Sequence, residues 1–299
     1  MAKPRLTLSP SPMALRTTGW TDYALLDSGG GRKLERYGPY RVVRPEGQCL
    51  WAPALDAEAW AADATFDPAD EEDAGRWRFV KRLPEAFPLA WRDIRFNGRF
   101  TAFRHLGCFP EQAANWAWMA DRIALRSVGN VLNLFGYTGV ASLVLAHAGA
   151  NVTHVDASKK AVGWARENAA LSGLEDRPTR WICEDARKYV QREVRRGVRY
   201  DAIILDPPKY GRGPAGEVWR LYEDLPELIA GCAALLSDEA SFLLLNGYSE
   251  RLSGLALGSL LADALASRAG HIDWGELALM EEGGARGVGL SFFARWSAP

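Results

Sequence analysis

The residues able to do chemistry fall in four short clusters: Phe135-Gly136-Tyr137-Thr138-Gly139, Asp156-Ala157-Ser158, Glu184-Asp185-Ala186 and Asp206-Pro207-Pro208-Lys209-Tyr210. The first is a glycine turn between an apolar run and a small-residue helix. Such a turn lets backbone N–H groups approach a ligand at a helix N-terminus. The second puts a carboxylate at the end of a strand, where it can hold two ribose hydroxyls. In the third, Asp185 can accept a hydrogen bond from an exocyclic amine; an ordinary capping carboxylate is the other reading of it. In the fourth, two prolines fix φ and remove two donors, so the Asp206 side chain and the backbone carbonyl face a pocket as acceptors. That rim suits a planar, amino-bearing acceptor such as a base. Tyr210 can stack on an extruded base, and Lys209 can meet a phosphate or raise the acidity of a leaving proton. The plainer reading is that Asp-Pro-Pro ends a strand.

The elements that must position these clusters read as an alternation. Val131–Phe135 is a buried strand, Val140–Ala148 a helix closed by Gly149, and Asn151–Val155 a second strand. Ser158 caps a helix over Lys159–Ser172 that ends at Gly173. Thr179–Cys183 is a third strand, and Arg187–Arg196 an amphipathic, arginine-rich helix. Tyr200–Leu205 is a fourth strand, Gly211–Pro214 a mobile loop, and Glu217–Leu236 a helix broken at Pro226. Ser241–Leu245 is a fifth strand, Leu252–Arg268 a helix, and Ile272–Met280 with Val288–Trp296 an antiparallel pair. Strands alternating with helices give a mainly parallel α/β sheet of the Rossmann-like kind, here closed by a terminal hairpin. Upstream, Tyr23–Leu26, Lys33–Tyr37 and Arg41–Arg44 read as a small β-meander. Asp56–Asp73 reads as an acidic surface loop or short helix. Asn97-Gly98 marks a hairpin turn. Ala113–Leu125 is a helix whose Trp116 and Trp118 are core residues. The domain boundary falls between residues 85 and 86: a small β-rich domain over 1–85 with a flexible tail, and the α/β domain over 86–299.

Composition bounds the function. With 36 basic and 37 acidic residues among 299, a wholly basic nucleic-acid coat is excluded, though a local basic face is not. Cys49, Cys108, Cys183 and Cys232 show no CxxC spacing, and the histidines no HExxH pair, so no metal and a reducing cytoplasm are expected. No apolar run is long enough to span a membrane. The stretch Met1–Trp20 carries Lys3, Arg5 and Arg16 and no acid, so a transit peptide competes with a frayed Pro/Ser tail.

Two nucleotide cofactors suit the first strand–turn–helix–strand unit. A nicotinamide dinucleotide wants GxGxxG, and its first glycine is missing here. S-adenosylmethionine (SAM) accounts for Asp185 beside an adenine and for Asp206-Pro207-Pro208 beside a sulfonium. The terminal hairpin also suits methyl transfer, in which alignment of nucleophile, methyl and sulfur supplies most of the rate.

NLFGYTGVAS, VDAS, EDARKY and LDPPKYG resemble the class I SAM-dependent methyltransferases related to the 23S ribosomal RNA cytosine-5 and guanine-N7 enzymes. The resemblance runs from about Asn97 to Ser249. It implies that Phe135, Gly136, Tyr137, Thr138 and Gly139 cradle the methionine part of SAM. By the same resemblance Asp156, with Ala157 and Ser158, takes the ribose, Asp185 and Ala186 the adenine, and Asp206–Pro208 line the methyl site. A family segment that covers the cofactor corresponds to Gly107–Ala113, with Glu111 and Gln112, but Glu replaces Asp and Ala replaces Arg. The cytosine-5 branch carries a nucleophilic Cys after the fifth strand; here Gly247 stands roughly there. Carbon methylation needs that thiolate, so a nitrogen acceptor is expected.

The expected function is therefore methylation of a base of ribosomal RNA. A methyltransferase for a small molecule or a protein is the first alternative, favoured by the near-neutral charge. A non-catalytic SAM-binding assembly factor is the second, opposed by the intact Asp156, Asp185 and Asp206.

Overall fold

The computed structural model describes residues 5–69, 75–126, 129–248, 251–284 and 286–299. The chain opens with nine strands: β1 (Leu6–Leu8), β2 (Met13–Thr17), β3 (Tyr23–Gly29), β4 (Arg32–Tyr37), β5 (Tyr40–Pro45), β6 (Ala64–Pro68), β7 (Gly75–Phe79), β8 (Ala86–Trp91) and β9 (Ile94–Arg99). A 3-10 turn at Pro110–Gln112 leads into α1 (Ala113–Arg126). The alternation follows: β10 (Asn130–Leu134), α2 (Val140–His147), β11 (Asn151–Asp156), α3 (Lys159–Leu171), β12 (Thr179–Cys183), α4 (Ala186–Arg195) and β13 (Ala202–Leu205). Then come β14 (Tyr210–Arg212), β15 (Val218–Arg220), α5 (Leu221–Leu235), β16 (Phe242–Gly247), α6 (Gly254–Ala264), β17 (Gly270–Met280) and β18 (Gly287–Ser297).

These elements form two units. One gathers the chain up to Leu15, Ala114–Leu277 and Ser291–Pro299; the other gathers Arg16–Ala113 and Ala278–Leu290. The partition differs from a single cut between residues 85 and 86. The β8–β9 hairpin groups with the smaller unit, and β1 with the larger.

The larger unit holds a nine-stranded sheet in the order β1-β17-β18-β16-β13-β10-β11-β12, with β2 also on β17. The pairs β13–β10, β10–β11, β11–β12 and β13–β16 are parallel, and β18 runs antiparallel to β16. This is the α/β sheet with a terminal hairpin that the alternation predicts. The central strands are buried throughout, as in Ala202–Leu205 and Phe242–Gly247, because a parallel sheet is covered on both faces. Leu132, Leu134, Ile203, Leu205, Leu243 and Leu245 form one core with Tyr189 and Val190 of α4, Leu228, Ile229 and Cys232 of α5, and Leu257 and Leu261 of α6. Chain order reverses at β10, with β11 on one side and β13 on the other. The carboxyl ends on either side of such a reversal are where a ligand fits.

In the smaller unit the meander is β3-β4-β5, extended by β6 and β7. Inside it, Glu35 is fully buried and takes bonds from Arg44 (2.7 Å, bidentate) and the Tyr23 hydroxyl (2.8 Å). Burial alone would lift this carboxyl, but the Arg44 and Lys33 charges and the bonds it accepts hold it down at about 2.

Several expectations are corrected. Asn97-Gly98 lies inside β9, and the hairpin turns instead at Arg92, whose φ is 51°. A Cβ on Gly98 would stand 2.5 Å from the Phe87 ring, so this glycine is explained by cross-strand packing. Residues 6–8 are no tail: β1 pairs in parallel with Gly270–Ile272. The acidic stretch contains a strand, Ala64–Pro68, paired with β5; its residues 70–73, like Lys3, lie outside the described residues. Gly211–Pro214 is part of a paired hairpin, β14–β15, rather than a mobile loop. Val218–Arg220 is a strand, and α5 continues unbroken through Pro226, sustained by the buried Leu225, Leu228 and Ile229. No helix among the described residues is long and apolar enough to cross a membrane, and no His/Cys/Asp/Glu group among them has the arrangement of a metal site.

Candidate active site

Along the carboxyl rim the strand order β13-β10-β11-β12 sets the clusters side by side: Asp206, the glycine turn, Asp156 and Asp185. The register is even, with Leu134 opposite both Val155 and Leu205, and Asp156 opposite Cys183. Backbone bonds tie each loop to its neighbour: Asp206 N–H to Leu134 O (3.4 Å), Gly136 N–H to Val155 O (3.1 Å), and Glu184 N–H to Asp156 O (3.1 Å).

The turn itself differs from a simple glycine cradle. Phe135 (φ 58°) and Tyr137 (φ 49°) take the left-handed backbone together with Gly139 (φ 84°). For non-glycine residues this costs roughly 1–3 kcal/mol each, and such strain concentrates at functional sites. Gly136 answers to packing: a Cβ there would lie 2.4 Å from His154 Cε1. A Cβ on Gly139 would lie 2.7 Å from the Ala165 Cβ. Beneath the turn runs a buried polar chain, Asn133 Nδ2 to Ser142 Oγ (2.9 Å) and Ser142 Oγ with His154 Nδ1 (3.0 Å). Burial pushes the His154 imidazole down to about 3, and its Nε2 has no partner among the described residues. Thr138 is buried, its carbonyl taking a bond from Asn168 Nδ2 (2.9 Å).

Asp156 accepts Tyr137 N–H on Oδ2 (2.8 Å) and Ser158 N–H on Oδ1 (2.8 Å). Burial raises its pKa against those two bonds. Each oxygen keeps a lone pair for one more donor, which fits a pair of vicinal hydroxyls. The Ser158 hydroxyl caps α3 by accepting Ala161 N–H (3.2 Å), so its oxygen serves the helix. Ala157 offers its carbonyl to Cys183 Sγ (3.6 Å). Asp185 is the N-cap of α4, on which Ala186 is the first, buried residue. Its Oδ1 takes Arg187 N–H (3.0 Å), Lys188 N–H (3.1 Å) and the Arg187 guanidinium (3.5 Å). None of these bonds falls on Oδ2, so capping and acceptance of an amine are compatible. The residues present fit an adenosyl ligand laid across the three loops.

Of the fourth cluster, Pro207 is buried, while Pro208, Lys209 and Tyr210 are exposed. Glu111 and Gln112 belong to the smaller unit, where both are buried in the 3-10 turn and the Thr17 hydroxyl bonds the Glu111 carbonyl (3.2 Å). Cys108 and Cys232 are buried, their thiols pushed up by burial. Cys183 is exposed on the rim, three strands from β13, or ~14 Å at ~4.8 Å per strand.

Sequence reasoning missed Trp219. It is buried, its indole N–H bonds Pro208 O (2.7 Å), and its ring lies 5.0 Å from that of Phe135. It thereby joins the Asp-Pro-Pro segment to the strained turn. Its neighbours Val218 and Arg220 are exposed, and Val-Trp-Arg shows no polar alternation in sequence that marks Trp219 as the inward residue. The arginine-rich face of α4 is largely paired with acids: Arg187 with Asp224 (2.6 Å), Lys188 with Glu217, Arg192 with Glu184 (2.5 Å), and Arg196 with Glu193 (2.9 Å). It is a salt-bridged face.

No family model matches the chain. A solved SAM-dependent methyltransferase from Agrobacterium tumefaciens is similar over its whole length: TM-score 0.95 and 48% identity, covering 100% of this chain and 97% of that one. Ribosomal RNA large subunit methyltransferase K of Neisseria meningitidis is 28% identical over 244 residues, 78% of this chain and 66% of that protein. Ribosomal RNA large subunit methyltransferase K/L of Shewanella frigidimarina is 30% identical over 154 residues, 51% of this chain and 21% of that protein. The chain thus spans less than two thirds of the length of these curated relatives.

Proposed function

Since the chain belongs to the SAM-dependent methyltransferases, related in sequence to those of the large ribosomal RNA, we propose that it methylates a base of ribosomal RNA, at nitrogen, in the cytoplasm. The observation that carries this reading is the alignment of Asp206, the glycine turn, Asp156 and Asp185 on four adjacent strand ends. In it Asp156 accepts the two ribose hydroxyls, with Ala157 and Ser158 closing that loop. Asp185 accepts the adenine amine on Oδ2, and Ala186 lies against it. Phe135–Gly139 receive the methionine part. Bound SAM supplies an electrophilic methyl group. Asp206 and the Pro207–Pro208 backbone accept the amine hydrogens of the base and hold its nitrogen in line with that methyl. Tyr210 stacks on the base and Lys209 faces a phosphate. The larger unit, whose four clusters all fall in Ala114–Leu277, carries this work.

Nitrogen is favoured over cytosine C5 by Gly247 where a nucleophilic Cys is wanted, and by the inert or distant thiols. A small molecule or a protein is the competing acceptor, favoured by the pairing of the α4 cations with acids. RNA incubated with enzyme and isotopically labelled SAM, digested and run through nucleoside mass spectrometry, separates the two. A labelled N-methyl nucleoside is the expected result. Label on C5 of cytosine would overturn the nitrogen assignment, and no labelled nucleoside would overturn the RNA reading.

A further inference from the structure

The β14–β15 hairpin follows directly on Asp206-Pro207-Pro208-Lys209, and its two faces differ. Residues directly opposite in an antiparallel pair share a face. Gly211 and Trp219 are one such pair and point inward, Trp219 buried against Phe135 and Pro208. Tyr210 with Arg220, and Arg212 with Val218, make up the other face, and all four are exposed.

A two-stranded hairpin of this size is marginal in water by itself, yet this one is fastened at several points. The Trp219 indole holds its inner face. Arg187 donates to the Val218 carbonyl (2.7 Å), and Lys188 pairs with Glu217. The Glu217 carboxylate also receives Ala215 N–H (2.9 Å) across the turn. The Lys188 bond is the first cause that lowers Glu217 to about 2, so this anchor stays charged at neutral pH. The outer face is thus presented in a fixed shape.

That face is aromatic and cationic. Tyr210 is 52% exposed. Arg212 pairs with no acid among the described residues. Arg220 shares a single surface bond with Glu223, both side chains more than half exposed; such pairs are weak and readily exchanged. A ring for a base, with guanidinium groups on the same ribbon for phosphates, is the chemistry of single-stranded nucleic-acid binding. The α4 face, by contrast, has its cations committed to acids.

We infer that the outer face of β14–β15 is the docking surface for the single-stranded RNA segment that flanks the target base, with Arg212 and Arg220 on backbone phosphates and Tyr210 stacked at the edge nearest Asp206. This rests on the RNA reading above and names the surface that reading lacks. A protein acceptor would want apolar or acid-matching pockets, and this face offers one valine.

The test uses the full-length chain. Binding of a short fluorescent single-stranded RNA of mixed sequence is followed by anisotropy across a salt series, for the wild type and for Arg212→Gln/Arg220→Gln. SAM affinity is measured calorimetrically on both proteins, which also reports that the variant is folded. Each phosphate contact on a single strand contributes about 0.7 to the slope of log K against log salt, so the pair removes roughly 1.4. The expected result is that loss of slope, with binding about tenfold or more weaker near 0.1 M salt and SAM affinity within about twofold. RNA binding with slope and affinity the same in wild type and variant would overturn this surface and leave the RNA reading standing. A wild type that binds SAM but no RNA even at low salt would overturn the RNA reading, and this surface with it.

Discussion

At the scale of single residues, the carboxylates differ in what they are free to do. Asp185 is bound into the α4 cap through Oδ1 and has one oxygen left over from that duty; Asp156 shares itself between two loops. In the proposed site Asp206 stands at the methyl-transfer end of the rim, on the loop that follows β13. Asp206→Ala is therefore expected to lower kcat by about 10²-fold, the scale of one lost transition-state contact, with the calorimetric SAM affinity changed only a few-fold. Steady-state kinetics beside calorimetry checks the split. Gly139 is held by both its φ of 84° and the Ala165 methyl group 2.7 Å from where a Cβ would sit. Gly139→Ala is expected to destabilise the fold by about 1–3 kcal/mol, measured by urea unfolding. The glycine turn and the strand-end acids were legible because their types and spacing are local in the chain. Left-handed Phe135 and Tyr137 were not, since what holds them there, His154 packing on Gly136 and Trp219 packing on Phe135, comes from distant sequence.

At the scale of elements, local signals succeeded where a strand or helix answers to its own pattern. Ser158 at the cap of α3 and Thr179–Cys183 as a strand follow from propensity and period. They failed where a partner far along the chain decides. Asn97-Gly98 has the composition of a turn, but Phe87 lying across Gly98 makes it a strand. Residues 6–8 have no signal of their own; Gly270–Ile272 supplies their pairing. The β14–β15 hairpin looked like a loop because what orders it is distant in the chain: Trp219 packs on Phe135 and bonds Pro208 O, and Arg187 and Lys188 of α4 fasten Val218 and Glu217. Trp219→Phe keeps an aromatic ring against Phe135 and removes the bond to Pro208 O. It is expected to cut kcat about tenfold, one modest hydrogen bond's worth, with SAM affinity unchanged. Equal losses in both quantities would mean that Trp219 supports the cofactor turn instead.

At the scale of the whole molecule, the alternation of strands and helices made the larger unit readable, while the assignment of chain segments to units was not. Residues 278–290 return to the smaller unit from the far end of the chain, and no local composition announces that. Stability should carry the mark of two buried titrating groups. Both His154 and Glu35 have folded pKa values below their ordinary ones, so stability is full above the ordinary value and is lost as pH falls. The window for His154 runs from 6.5 down to about 3, and that for Glu35 from 4.5 down to about 2. Each group contributes at most about 1.4 kcal/mol per pH unit within its window. Urea midpoints taken from pH 7 down to about pH 2.5 should fall progressively, first through the His154 window and then through that of Glu35. Glu35→Gln leaves the buried Arg44 uncompensated and is expected to cost about 3–5 kcal/mol at neutral pH, while flattening the lower part of that profile.

The central claim is that an adenosyl ligand lies across the rim with its ribose on Asp156. The most direct measurement is calorimetric titration of SAM into wild type and Asp156→Asn, which preserves shape and removes the charge. The account predicts saturable one-site binding to the wild type and at least about 100-fold weaker binding to the variant, the loss of two charge-assisted bonds. Equal affinity for the two proteins would contradict it.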